Sequence, residues 1–181
     1  MDINSFKSRL RGGVRPNLFE VSFTFPQGIA TTQFQFNDSL LIKASQIPAS
    51  TLGNIDVPFM GRQIKIPGDR TFTEWNITVL NDVDFTIRGA FESWMNEINS
   101  HATNATSDAN PQAIYGTANV IQWDRDGTAL QEYVIRDVYP SELSPIELAF
   151  DTNDQLQEFQ VTLQYNYWET IGSAGNTTPQ L

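Results

Sequence analysis

The chain has 181 residues, a formal net charge of −10 and no cysteine. This length suits one domain with its own core, and the lack of cysteine excludes disulfides and thiolate zinc sites. The negative charge argues against a conventional nucleic-acid binder, because such proteins neutralise phosphates with Lys and Arg.

Much of the chain alternates between apolar and polar residues, which is the period of a β-strand. In Leu18–Phe25 the alternation places Phe19, Val21, Phe23 and Phe25 on one face. Later predicted strands are Gln33–Lys43, Asp56–Ile66, a segment marked by Trp75, Ile77 and Val79, Ala113–Trp123, Ala129–Tyr139 and Gln157–Trp168. The pattern predicts a mainly β protein.

One amphipathic helix is predicted between these strands. It follows Asp82, which we expect to be the N-cap, and Asp84 is placed to pair with Arg88 one turn on. The apolar stripe recurs at steps of three and four residues and comprises Ile87, Phe91, Trp94, Met95 and Ile98. This helix is expected to lie across a sheet, and residues 101–111 after it are expected to form a polar loop.

The last predicted strand, Gln157–Trp168, has the clearest alternation. Its apolar face comprises Phe159, Val161, Leu163, Tyr165 and Tyr167. We expect this face in the core and the polar face in water or against another subunit.

Catalytic and metal-binding chemistry finds little support in the sequence. His101 is the only histidine and lies in the polar loop, so a histidine-dependent catalytic arrangement is not expected. Asp124–Gly127 is predicted to be a hairpin turn, because its glycine spacing does not fit a calcium-binding loop. Asp151 and Asp154 fit a polar turn. We predict a protein that is not an enzyme and has no catalytic, cofactor-binding or metal site.

No segment resembles the apolar core of a signal peptide or a membrane span. We therefore expect a soluble protein that is not exported by a cleaved signal and does not itself bind membranes. The segment Val57–Arg62 combines large apolar residues with Pro and Gly, and two interpretations remain open. It is either a strand folded back on its own core, or the end of an extended hairpin arm that is buried in a partner subunit.

Several motifs occur in an order found in one known family. They are Arg15–Val21, Pro58–Arg62, Ile66–Trp75, Phe159–Leu163 and Tyr167–Glu169. Together they resemble the tail tube proteins of contractile-tailed bacteriophages, the myoviruses, over about residues 15–169. The resemblance defines a single domain, 1–181, with a core at about 15–169. The chain departs from the family in the loop at 101–111 and in a C-terminal extension at 170–181.

The resemblance implies a fold and an assembly. The expected fold is an antiparallel β-sandwich or barrel-like subunit with one flanking helix and an extended hairpin arm. Such subunits form hexameric rings that stack into the inner tail tube, the conduit for genome ejection inside a contractile sheath. The implied partners are other copies of the chain, the tail sheath protein, the baseplate tube initiator, the tape measure protein, the tail terminator and, transiently and without specific binding, double-stranded DNA. The implied location is the virion tail, after assembly in the host cytoplasm.

Two alternatives belong to other classes. A contractile injection or type VI secretion tube would share the fold and deliver protein effectors. A β-sandwich glycan hydrolase would use paired carboxylates.

The resemblance also suggests which residues contact neighbouring subunits. The expected inter-ring or inter-subunit contacts are Ile47, Pro48, Ile55, Val57, Pro58, Phe59 and Met60. Residues on the polar faces of central strands are candidates for the lumen, namely Gln33, Gln35, Asn37, Thr117, Asn119 and Gln131. An acidic lumen would repel passing DNA locally and favour sliding over binding.

Overall fold

A computed structural model describes residues 2–26, 41–106, 111–151 and 153–171. In this part of the chain the elements are α1 (Ile3–Leu10), β1 (Phe19–Thr24), β2 (Ile42–Ala44), β3 (Ser50–Phe59), β4 (Arg62–Phe72), β5 (Trp75–Leu80), α2 (Thr86–Ile98), β6 (Gly116–Trp123), β7 (Ala129–Leu143), β8 (Glu158–Gln164) and β9 (Tyr167–Ile171). A short 3-10 helix at Pro111–Ile114 precedes β6.

Seven strands form one antiparallel sheet in the order β1-β6-β7-β8-β5-β2, with β9 also pairing with β7. β8 and β9 follow one another along the same edge of β7. The first half-sheet therefore contains β1, β6, the first part of β7 and β9, and the second contains the last part of β7, β8, β5 and β2. The result is a nearly closed, barrel-like antiparallel sheet, which confirms the fold that the family resemblance implied.

The two half-sheets join at a β-bulge in β7. The pairing of β6 with β7 shifts register between Gly116 and Thr117, which leaves Asp137 as an extra residue. Asp137 has a φ of 55°, and its carboxylate accepts a hydrogen bond from Asn166 Nδ2 at 3.0 Å. A bulge bends its strand and increases the local twist. Here it directs β7 from the first half-sheet into the second.

Aromatic side chains from both half-sheets and from α2 form the core. The ring of Phe23 in β1 lies 5.7 Å from that of Trp75 in β5 and 5.5 Å from that of Phe91 in α2. Trp94 is fully buried and donates a hydrogen bond from Nε1 to the carbonyl of Ile114 at 2.8 Å. Because this donor is satisfied, the indole is buried without leaving a polar group unpaired. The prediction that one face of α2 packs on the sheet is confirmed.

The beginning of α2 differs from the prediction. Asp82 is not the N-cap, although its Oδ1 accepts a hydrogen bond from the backbone N–H of Thr86 at 2.9 Å. Asp84 lies before the helix, and Arg88 pairs with Glu92 at 2.8 Å instead. Asp82 lies four residues before the first helical residue, Thr86, and its carboxylate still accepts a hydrogen bond from an N–H at the start of the helix that has no partner within the helix.

Two predicted strands are interrupted by turns. Asp56–Ile66 is not a single strand, because Met60 and Gly61 form the turn between β3 and β4. Gln157–Trp168 divides into β8 and β9, so Tyr167 is exposed although it was predicted to be buried. The remaining apolar residues of that predicted face, Phe159, Val161, Leu163 and Tyr165, are buried as expected.

Candidate assembly interface

The β3–β4 hairpin, here called the arm, is anchored to the barrel at its root. Trp75 Nε1 donates to the carbonyl of Gln46 at 2.7 Å, and the Tyr165 hydroxyl donates to the carbonyl of Ala49 at 3.1 Å. The rings of Phe72 and Tyr165 lie 5.8 Å apart. Burial raises the pKa of Tyr165 further above the neutral range, where the hydroxyl is already a protonated donor. Two buried aromatic residues therefore fix where the arm leaves the domain.

A tight turn closes the far end of the arm. Phe59 pairs with Arg62, and the two residues between them, Met60 and Gly61, have φ of 44° and 79°. Two central residues with positive φ are typical of the hairpin turns that match the twist of paired strands. Glycine adopts this conformation without strain, whereas methionine adopts it rarely.

The arm has one apolar face that nothing in the described chain covers. Ile55 pairs with Ile66 and Val57 with Ile64, so these side chains share a face. The whole face comprises Ile55, Val57, Phe59, Ile64 and Ile66, each between 39% and 57% exposed. The opposite face carries Asn54, Asp56, Gln63 and Lys65. A two-stranded hairpin is marginally stable alone in water, so this ribbon requires a partner surface.

The structure separates the predicted contact residues into different environments. Ile55, Val57 and Phe59 lie on the apolar face, as do Ile64 and Ile66, which the sequence-based prediction did not include. Pro58 lies on the opposite face, and Met60 is 90% exposed at the turn. Pro48 is buried within its own chain and offers no free surface. Ile47 is half exposed beside a cavity of about 130 Å³ at the arm root, lined by Phe19, Gln46, Val120 and Tyr133 among others.

The first half-sheet presents a polar face away from the core. Glu20 and Ser22 of β1 alternate with the buried Val21 and Phe23. Three carboxylates lie on the described part of this face, those of Glu20, Glu132 and Glu169, together with one guanidinium, that of Arg136. Arg136 Nη2 lies 3.6 Å from Glu169 Oε2, so the one cation is already paired with one of the acids. The face is therefore net negative.

The predicted lumen candidates do not all share this face. Thr117 and Asn119 of β6 lie on it, because they alternate with the buried Gly116 and Ala118. Gln131 pairs with Gln122 on the opposite side of the sheet, so it cannot line the same surface. The other candidates, Gln33, Gln35 and Asn37, lie outside the described residues.

Turn geometry accounts for the acidic residues that drew attention in the sequence. Asp124–Gly127 forms the β6–β7 hairpin turn, with Gly127 at a φ of 82°. The backbone N–H of Thr128 donates to Asp126 Oδ1 at 2.9 Å and lowers the pKa of that carboxyl. Among the described residues no three metal-ligating side chains cluster, and no described helix is long and apolar enough to cross a membrane.

A nearly closed antiparallel barrel, with an apolar arm that the described residues leave uncovered, is typical of a structural subunit that buries its arm in an assembly. The sequence profile of the family described as phage tail tube protein matches residues 14–171, and the chain belongs to this family. The family is one of structural tail proteins rather than enzymes.

Individual relatives and solved structures agree with this membership. The chain is 34% identical over 156 residues to the tail tube protein gp19 of Enterobacteria phage T4, covering 86% of this chain and 90% of the relative. It is 28% identical over 166 residues to the tail tube protein of Serratia phage KSP90, and the alignment covers 90% of this chain and 93% of the relative. The fold is similar to that of a chain in the sheath–tube complex of PVC, an extracellular contractile injection system. The TM-score is 0.65 at 14% identity, and the match covers 92% of this chain and 97% of the other chain.

Proposed function

We propose that this protein builds the inner tube of a contractile phage tail. Copies assemble into hexameric rings, the rings stack into a hollow tube inside the sheath, and the tube conducts the genome during ejection. Two findings together support the proposal. The chain is 34% identical to a phage tail tube protein, and its apolar arm has no partner among the described residues.

Ring closure follows from the edges of the first half-sheet. Among the described residues β1 pairs only with β6, and β9 only with β7. Because each neighbour in the order β1-β6-β7-β9 is antiparallel, β1 and β9 run in opposite directions. The β9 edge of one copy can therefore join the β1 edge of the next in an all-antiparallel sheet. Such a head-to-tail contact removes the exposed edges, and it makes a ring when the rotation between copies closes.

The arm supports contact beyond the ring. It extends from the barrel with an apolar ribbon, and burying such a ribbon against another copy would remove it from water. Contacts of this type between rings produce a stack rather than a closed particle.

The remaining partners follow from tail function. Chains of similar fold occur in a sheath–tube complex and in a tube-terminating cap. We propose contacts with a sheath protein and a tail terminator, together with a baseplate initiator and a tape measure protein. The resulting location is the virion tail.

A tube that delivers protein effectors is the second candidate. The similarity in fold to injection-system tubes favours it, but the identity there is 14%, against 34% to the phage relative. The higher identity supports the phage tube.

Electron microscopy tests the proposal directly. The purified protein, imaged in negative stain over a series of concentrations, is expected to form rings and tubes with a central channel. Particles that stay monomeric at every concentration would contradict self-assembly. Sheath and tape-measure genes beside the coding sequence are expected for a phage tail, and neighbouring effector genes would favour the second candidate instead.

We propose that the polar face of the first half-sheet lines the bore. Because this face is net negative, duplex DNA is expected not to bind assembled tubes. Co-sedimentation of labelled DNA with tubes at low salt measures this. The variant Glu20→Lys with Glu132→Lys reverses two charges on that face and is expected to retain DNA at low salt and release it as salt rises. Retention of DNA by the unmodified tubes, lost steeply with salt, would show that the lining has the opposite sign.

A further inference from the structure

Two surfaces of opposite charge, which the described residues leave uncovered, lie at opposite ends of β7. The first is α1, which has no buried residue. Its apolar side chains, Ile3, Phe6 and Leu10, are all more than half exposed and recur at three- and four-residue steps on one face. On the helix, Lys7 and Arg9 flank this stripe on its two sides.

The N-terminal segment is basic within an acidic protein. Residues 2–15 carry four of the chain's 11 Lys and Arg, at positions 7, 9, 11 and 15, and one of its 21 Asp and Glu, at position 2. The rest of the chain is therefore more acidic than the total of −10 indicates.

The second surface consists of two neighbouring loops, here called the acidic loops, whose described residues are 81–85, 144–151 and 153–157. Asn81 joins them, since its backbone N–H donates to the carbonyl of Gln157 at 2.9 Å. Neither loop contains Lys or Arg. Their exposed apolar residues are Val83, Phe85, Leu148, Phe150 and Leu156, and their acidic residues include Asp84, Glu147, Asp151 and Asp154.

The topology keeps the two surfaces apart within one subunit. The chain after α1 enters β1 beside the end of β6, where the N–H of Trp123 bonds the carbonyl of Leu18 at 2.9 Å. This is the end at which β7 begins, whereas the acidic loops follow the other end of β7 at Leu143. A strand of 15 residues spans up to about 50 Å. The arm root lies at the same end as α1, because Pro16 and Ile47 line one cavity.

We infer that α1 of one copy docks on the acidic loops of a copy in the adjacent ring. The apolar stripe of α1 packs on the exposed Leu and Phe side chains of the loops, and Lys7 and Arg9 face their carboxylates. Surfaces at opposite ends of one molecule that complement each other make a head-to-tail contact, and this contact repeats as an open stack when the rotation between copies does not close. The inference rests on the proposed assembly into stacked rings and adds a second inter-ring contact beside the arm.

A charge exchange tests the pairing. The variant Lys7→Glu with Arg9→Glu is expected to melt like the unmodified protein, because α1 is not part of the core, and to need at least about tenfold more protein to form tubes. Adding Glu147→Lys and Asp151→Lys to the same chain is expected to restore assembly. The control, Ser5→Glu with Ser8→Glu, adds acids to the other face of α1 and is expected to assemble nearly normally. Unchanged assembly of the first variant would overturn the inference.

Cross-linking detects the contact between α1 and the acidic loops independently of tube formation. The chain has no cysteine, so Ile3→Cys and Gln155→Cys each provide one thiol. Mixing the two single variants with a short bis-maleimide is expected to yield a dimer linked between these positions. If unmodified protein forms no tubes, the proposed function fails, yet the cross-link still decides whether α1 docks on the loops. No such dimer, or a link that forms only within one chain carrying both substitutions, overturns the inference.

Discussion

The variant Phe59→Ala is expected to remain folded with a near-normal melting temperature while losing most tube formation. Phe59 is 57% exposed at the end of the arm's apolar face and makes no part of the buried core. Truncating a large side chain that anchors an interface costs about 2 kcal/mol or more per contact. In a tube the contact recurs in every subunit, so the loss is multiplied. Circular-dichroism melts of the unassembled protein and negative-stain counts of tubes measure the two effects.

Phe159→Ala is the matched control for this prediction. Phe159 is buried in β8 beneath the guanidinium of Arg88, whose carbon lies 5.3 Å from the ring centroid. Removing a buried Phe costs about 3–5 kcal/mol of folding free energy. The control is expected to melt far below the unmodified protein. If Phe59→Ala also melts far lower, or forms tubes as usual, then Phe59 packs in its own subunit or lies outside the interface.

Strand periodicity was the strongest signal in the sequence, and it identified most of the core. The apolar face predicted for Leu18–Phe25 is buried at Val21, Phe23 and Phe25. The alternation of apolar and polar residues depends only on which face of the sheet is shielded from water. The same holds for Phe159 and Val161 in β8. Burial of alternate residues therefore needs no knowledge of the partner strand.

Turns that break an apolar pattern were harder to predict. The arm turn uses Met60 at positive φ, a conformation that sequence preferences assign to Gly or Asn. The division between β8 and β9 depends on the bulge at Asp137, where the partner strand β7 bends. A bend imposed by a neighbouring strand leaves no signal in the strand that follows it. This is why Tyr167 was assigned to the wrong face.

The helix α1 was missed for a different reason. It is short, and its stripe of Ile3, Phe6 and Leu10 has no covering surface in the subunit. Isolated helices of this length are marginal in water, so sequence analysis favours the core-packed α2. The candidate interface shows the same limit, since a sequence marks which side chains are apolar but not which of them the folded subunit leaves uncovered.

Gly116→Ala is expected to destabilise the subunit, because the glycine lies where three elements meet. A Cβ at Gly116 would stand 2.7 Å from the carbonyl oxygen of Thr24 in β1 and 2.7 Å from Cη2 of Trp94 in α2. Neither neighbour can move freely, since the oxygen belongs to backbone and the indole is fully buried. Overpacking of this kind costs about 1–3 kcal/mol. For a chain of this size each kcal/mol lowers the melting temperature by about 2–4 °C.

Gly89→Ala makes the same chemical change at a position with the opposite expectation. Gly89 lies inside α2, and a Cβ there would meet nothing within 4 Å. Alanine in a helix interior is more stable than glycine by about 0.5–1 kcal/mol, because it loses less backbone freedom on folding. Thermal melts of the two variants, measured on unassembled protein, are therefore expected to move in opposite directions. Equal melting temperatures for Gly116→Ala and the unmodified protein would contradict this prediction. They would mean that β1 and Trp94 move to accommodate the added methyl group at no cost in stability, and that α2 does not pack tightly against the start of β6.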